Sequence, residues 1–497
     1  MLGNRSRSAP LIPLLALWLA APAAGKPPPF ADPPSLESEA GVLAVTLDAS
    51  PAEILIKNKR VTSNVYNGLY VPPLLRLQHG DMLEVEQINN TGDLQINFHS
   101  HGIITSPLSP GDNVVDVKVL PGQSFDTSIA IAAENSSGMY WYHTHVHGFV
   151  NDGISNGMSG ALIVGDVLAT FPGLAGITER VMLLKDMKIK KGAPVQDPDP
   201  AGKTRRTING LFKPEIPIAP GELQFWRIAN VSANIFYDLV MKGVTFNILA
   251  VDGNLQNQLT ETDELLMPPG RRFEVLMRGP DKPGKKKLKT RKFNTGPDGD
   301  AYPAQAMATL KVSKTPVAAQ IPLPTSGFPV LTDLRTQTVD VSRTIVFDDT
   351  DDPNVFVIDG KVYDENVVDT TVQLGDLEEW TIQNASGEFH VFHIHQGDFQ
   401  VISVDGVAQP FTGYQDTVNL PVASDSGPGT VVMRVRFDPP IIVGEYVYHC
   451  HIVQHEDQGM MANIVVEDAL AALMKADEPP DLIAQATTPV VGNYWCL

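Results

Sequence analysis

The stretch Gly80–Asn89 (GDMLEVEQIN) returns in outline as Gly221–Asn230 (GELQFWRIAN) and again as Gly375–Asn384 (GDLEEWTIQN). In every copy a Gly-acid pair precedes the Asn by nine residues, and a second turn-forming pair lies upstream, at Asn67-Gly68, Asn209-Gly210 and Asp359-Gly360. Such pairs punctuate short apolar runs, so each copy reads as turn, strand, turn, strand. Gly80, Gly221 and Gly375 stand 141 and 154 residues apart, a repeat of domain size. Three similar β-sandwich domains follow, in preference to one large β barrel with accidental likeness. The expected spans are 36–170, 178–316 and 340–468, with a tail over 469–497.

The rest of the chain agrees with an all-β reading. Gly41–Leu47, Met82–Ile88, Val115–Val119, Phe225–Ile228, Arg272–Met277, Val431–Phe437 and Ile464–Val466 are short, largely apolar and bounded by turn formers. Gly and Pro number 40 each, which suits many turns, and 43 % hydrophobic against 19 % charged residues excludes a disordered chain. A net charge of −20 argues against nucleic acid or anionic lipid as partners. The basic run Lys285 to Lys292 is expected to be a solvated loop. Residues 1–25 read as a secretory signal. Arg5 and Arg7 precede an apolar run from Leu11 to Ala21, and Ala21, Ala23 and Ala24 offer cleavage. No later stretch is long and apolar enough to span a bilayer, so a soluble protein exported to the periplasm or the extracellular space is expected. Asn-X-Ser/Thr triplets at Asn89, Asn135, Asn230 and Asn384 would carry glycans only in a glycosylating host.

Histidine placement carries the chemistry. None of the twelve lies between His147 and His390, so the middle domain offers none. Outside it the spacing His-X-His occurs four times, at 99/101, 143/145, 393/395 and 449/451. Side chains at i and i+2 of a strand leave the same face, about 6.5 Å apart, so each pair can turn two imidazoles toward one metal cluster. The run His449 to Met460 (HCHIVQHEDQGM) adds a different site. Cys450 and His455, with His390 from upstream and Met460 as a weak thioether, form the His₂Cys set of a blue electron-transfer copper. Strand alternation sends Cys450 one way and its neighbours His449 and His451 the other, which joins the two sites through one bonded link on each side. Zinc, redox-inert and satisfied by four ligands, has no use for so many. The second cysteine, Cys496, is left without a partner near the end of the chain.

These motifs in order, with His99-Ser100-His101-Gly102, His143-Thr144-His145 and His390-Val391-Phe392-His393-Ile394-His395, make the chain similar to the three-domain multicopper oxidases, laccase-like and bacterial. The resemblance implies tandem cupredoxin-like Greek-key sandwiches and four coppers per chain. Carried over position by position, it gives His390, Cys450, His455 and Met460 to a type 1 copper. It gives His99 and His393 to the type 2 copper, and His101, His143, His145, His395, His449 and His451 to the type 3 pair. Asp112 and Glu456 resemble carboxylates that serve proton transfer during dioxygen reduction. His147 is expected to pack near the cluster without binding copper, and His79 to face solvent. Val391 and Ser100 depart from the family, which commonly has Pro and Trp there.

The implied reaction takes single electrons from a small reducing substrate and passes four to O₂. Metal-oxidising members often carry a Met-rich insertion, and the 14 Met residues here are scattered apart from Met460-Met461, which leans the expectation toward phenols and aromatic amines. Oxidation of Cu(I), Fe(II) or Mn(II) is the alternative. A copper-free scaffold need not keep this ligand set, and a copper nitrite reductase would need no type 3 pair.

Overall fold

The computed structural model describes residues 26–195 and 204–469, so the signal segment, Cys496 and the tail beyond 469 lie outside the described residues. Beside two small two-stranded sheets, its six larger sheets come in three pairs, four- and five-stranded in the first sandwich and six- and five-stranded in the other two. The chain is built from three tandem cupredoxin-like sandwiches. The repeated decapeptide occupies the same place in each. Met82–Asn89 runs parallel to Val42–Ala49 and antiparallel to Ser124–Ala130. Leu223–Asn230 lies likewise between Thr178–Leu184 and Arg272–Arg278, and Leu377–Asn384 between Val341–Phe347 and Gly429–Arg436.

The physical reasons for the repeat are local. Asn67, Asn209 and Asp359 adopt positive φ (53°, 52° and 52°), and so do the glycines after them, the backbone a tight hairpin turn demands. Each side chain also accepts a strand N–H, from Asp48, Leu183 and Val346. Asn89, Asn230 and Asn384 close the next turn. Each is buried, each amide donates to two backbone carbonyls, and each oxygen accepts the N–H two residues on. The Asn-X-Ser/Thr triplets at these three positions are therefore turn-pinning devices. Asn135 is buried too, its amide and oxygen held by Ile104.

Two expectations fail. Val115–Val119 is no strand: Asp116 N–H is taken by the Asn113 side chain, and the Asn97 amide donates to the carbonyls of Val114 and Val117. Side chains have claimed the groups a ladder would use. The basic run is no loop, because Gly284–Thr290 pairs with Gln305–Val312 on one edge and Tyr237–Val240 on the other. Its lysines alternate outward while Leu288 and Thr290 are buried, the period of a half-buried strand.

One apolar core runs unbroken from the second sandwich into the third, and a separate cluster including Trp141, Leu183, Val231 and Val453 cements the first to both. That junction brings the first and third sandwiches into contact, with His99 and His101 against His395 and His393.

Candidate metal centres

Strand pairing sets the histidines. His99–His101 lies antiparallel to Gly138–His143 with His99 opposite His143. In the third sandwich His390–Ile394 pairs with Gly444–Cys450, placing His393 opposite His449 and Phe392 opposite Cys450. Directly opposed residues share a face. His393 and His449 therefore point to one side, and Cys450 to the other with His390.

On the histidine side the rings of four segments converge, and all are buried. His449 Nε2 lies 3.2 Å from His145 Nε2 and 3.3 Å from His395 Nε2. His451 Nε2 lies 3.3 Å from His101 Nδ1. His99 stacks on His395 and His101 on His393, at 3.9 and 3.8 Å between ring centres, across the domain junction. Candidate ligand atoms of His99, His393 and His395, of His99, His101 and His143, and of His145, His395 and His449 lie within 4.8 Å of one another. On the other side His390 Nδ1 and His455 Nδ1 are 3.2 Å apart, with Cys450 Sγ at 3.7 and 3.9 Å from them. Met460 is buried on this side: it precedes Met461, which sits opposite His449 in the ladder. Its N–H donates to the His455 carbonyl, and its own carbonyl accepts the Cys450 N–H.

The donor set fits metal ions. His99, His143 and His393 each have Nδ1 engaged, by Asp112, the Thr144 carbonyl and the Asp416 carbonyl at 3.0, 2.8 and 2.8 Å. Their Nε2 atoms are buried with no hydrogen-bond partner. A buried bare imidazole nitrogen costs free energy unless something binds it, and a ring anchored at one nitrogen and open at the other is how proteins present a metal ligand. Burial also holds the pKa values of His101, His143, His145, His393, His395, His451 and His455 well below the ordinary value, so these rings stay neutral and keep their lone pairs. Burial likewise pushes the Cys450 thiol up, so a metal there must displace its proton.

Asp112 is fully engaged at His99: it also accepts the Ser100 N–H at 2.9 Å and the Ser100 hydroxyl at 2.6 Å. Ser100 thus has a use that Trp could not serve. Glu456 is buried between His449 Nδ1 at 3.2 Å and His145 Nδ1 at 3.5 Å, in neither case as a well-aligned hydrogen bond. Val391 aims its N–H at Cys450 Sγ, 3.5 Å away, a contact that a proline could not make. His147 is half-buried against the Tyr363 ring, and His79 is exposed, its Nε2 donating to the Asn135 carbonyl.

Several residues at these centres are invisible to sequence reasoning. Asp416 is buried with Oδ1 at 3.4 Å from His101 Nε2. Glu388 Oε2 is 3.7 Å from His455 Nε2, Asp349 Oδ1 is 3.3 Å from His390 Nε2, and Phe356 stacks on His455 at 4.0 Å. No spacing rule could find them, because their partners are remote in the chain.

Sequence profiles of multicopper oxidases match residues 49–168, 183–307 and 333–469, one to each sandwich. The chain belongs to the multicopper oxidase family. Among relatives of this family, the multicopper oxidase mco of Staphylococcus haemolyticus is 26 % identical over 422 residues, 82 % of this chain and 85 % of its own. The cell division protein FtsP of Escherichia coli K12 is 24 % identical over 470 residues, covering 91 % and 95 %. In structure, the Campylobacter jejuni multicopper oxidase described as a metallo-oxidase superposes with a TM-score of 0.72 at 25 % identity, over 89 % of this chain and 95 % of its own. The Aquifex aeolicus McoA superposes at 0.76 and 23 % identity, over 89 % and 100 %.

Proposed function

We propose that this multicopper oxidase is an exported four-copper enzyme that oxidises small reducing substrates one electron at a time and reduces dioxygen to water. The observation that carries the reading is the segment His449-Cys450-His451. Cys450 turns toward His390 and His455, while both neighbours turn into the histidine cluster. His390, Cys450, His455 and Met460 would hold the type 1 copper, His99 and His393 the type 2 copper, and His101, His143, His145, His395, His449 and His451 the type 3 pair. Bound copper would supply one-electron redox at the Cys450 site and dioxygen reduction at the cluster.

The chain's own residues account for the rest. One peptide unit on each side of Cys450 joins the two sites by covalent structure. Met460 packs against the thiolate site and keeps water out of it, being fully buried. Glu456, between His145 and His449, stands where protons must reach the cluster, and Asp112 is the carboxylate on the His99 side.

His455, 7 % exposed in its side chain, is the ring by which a substrate reaches the thiolate site, and Glu388, 12 % exposed, lies beside it. A carboxylate there accepts a proton or hydrogen bond from a phenol or an aromatic amine, and we read the substrates as these. The same Glu388 and Asp349 favour a second reading, oxidation of Fe(II), Cu(I) or Mn(II): burial and the neighbouring acids push Glu388 up to about 8, and an arriving cation would displace its proton and take the two carboxylates as ligands. Likeness to FtsP, a cell division protein, raises a third reading, a role in cell division as a metal-free scaffold. The buried bare imidazole nitrogens weigh against it, because a scaffold gains nothing by leaving them open.

The test is copper-reconstituted protein: four coppers per chain, an intense blue thiolate absorption, and oxygen uptake with phenols exceeding that with the three metal ions. Fewer coppers or no blue colour would end the oxidase reading, and faster uptake with a metal ion would transfer the assignment to the metallo-oxidase.

A further inference from the structure

The middle sandwich contributes no histidine, yet one of its side chains reaches the cluster. Arg272 opens the strand Arg272–Arg278 and is completely buried. All five guanidinium hydrogens have acceptors. Nε donates to the Met139 carbonyl of the first sandwich at 3.2 Å. Nη1 and Nη2 grip the two Asp416 oxygens of the third sandwich at 2.8 and 2.7 Å. Their remaining hydrogens go to the carbonyls of Gly270 and Asp252 at 3.2 and 2.9 Å. A planar fork with every donor engaged has one orientation. Asp252 fixes its base as well, accepting the Arg272 backbone N–H at 2.9 Å.

What the fork holds matters to the cluster. The Asp416 carbonyl accepts His393 Nδ1–H at 2.8 Å, which sets the tautomer and leaves Nε2 open. Asp416 Oδ1 stands 3.4 Å from His101 Nε2, and His101, His393 and Asp416 could by themselves hold an ion. A freed carboxylate at that distance would swing in as a competing ligand. With both oxygens committed to Arg272, the imidazoles remain the donors. The pair also explains Gly102: a Cβ there would fall 2.4 Å from Arg272 Nη2 and 2.6 Å from Asp416 Oδ2.

We propose that Arg272 is a positioning residue for the histidine cluster, supplied by the ligand-free middle domain, which locks Asp416 and through it the rings of His393 and His101. The proposal rests on the copper reading above. Arg272→Gln in copper-loaded protein is expected to keep its blue colour, since Arg272 touches none of Cys450, His390 or His455. The type 2 EPR spectrum should shift, and a chelator should extract cluster copper on the order of 10–100-fold faster, the usual loss when a ligand's support is removed. Arg227→Gln is the control. Arg227 is an equally buried arginine of the same sandwich, paired with Glu179 and Glu274 and touching no histidine. It should leave spectrum and extraction rate unchanged. Should Arg272→Gln not fold, Asp252→Asn removes the negative charge that sits beside Arg272 and Arg271 and weakens the hold on the Arg272 backbone N–H, and it is expected to shift the spectrum in the same sense. A native spectrum and native extraction rate in whichever of these two variants folds would overturn the proposal, and so would Arg227→Gln reproducing the effect. Wild-type protein without any type 2 signal would instead bring down the copper reading itself.

Discussion

Replacing Asp112 by Asn is the sharpest probe of how the cluster is held. Asp112 takes three donors at once: His99 Nδ1 at 3.0 Å, Ser100 N at 2.9 Å and the Ser100 hydroxyl at 2.6 Å. An Asn has one acceptor oxygen and two N–H donors, so whichever way it is turned, one of its donors faces His99 or Ser100 N. If the oxygen stays with Ser100, His99 loses a charge-assisted hydrogen bond, worth about 1.5–3 kcal/mol in a buried site. That converts to roughly 10–100-fold weaker binding by the ring whose open Nε2 it orients. Cys450, His390 and His455 make no contact with Asp112, so the blue absorption should be unchanged. The assay is chelator competition followed by the type 2 EPR signal, with single-turnover reoxidation of the reduced enzyme by dioxygen alongside. Asp112→Asn should lose type 2 copper first and reoxidise at least about tenfold slower. If it instead kept wild-type affinity and reoxidised at the wild-type rate, Asp112 would be an ordinary loop acid and the reasoning would fail.

Two further outcomes follow from contacts specific to this chain. Val391→Pro removes one of the two backbone N–H groups, with that of Ile452, that are aimed at Cys450 Sγ, so the thiolate gains electron density and the reduction potential of the blue site should fall. A redox titration showing no change would mean that the 3.5 Å contact has no electronic weight. Asp398 is held up to about 8 by burial and by the neighbouring charge of Asp416. The folded protein therefore keeps a proton that the unfolded chain releases near pH 4, so its contribution is lost as pH rises from about 4 to 8. Asp398→Asn keeps an oxygen for the Asn254 amide and should be more stable than wild type by about 2 kcal/mol at pH 7, discounted for partial exposure. The gap should close by about pH 4.5 in urea denaturation, and one independent of pH would refute the assignment.

Much of this molecule is legible in the sequence. A repeated turn–strand–turn decapeptide encodes three like sandwiches because its signals are local: Gly and Asn at positive φ, and an Asn amide closing its own loop. The partition of Cys450 from His449 and His451 is equally legible, since alternation along a strand needs no knowledge of the rest of the fold. Local signals also mislead. Charge alone makes the lysine run read as a loop, although Leu288 and Thr290 mark the buried face of a strand. Val115–Val119 has the composition of a strand, and Asn97 and Asn113 claim its backbone instead. Which remote groups meet the ligands is written nowhere in the local pattern. Glu456 is drawn between two histidines of different domains, and Arg272 and Asp416, 144 residues apart, close on each other behind His101 and His393. Periodicity tells a side chain which face it occupies. The partner waiting on that face is set by how the three sandwiches pack, and that information is spread over the whole apolar core.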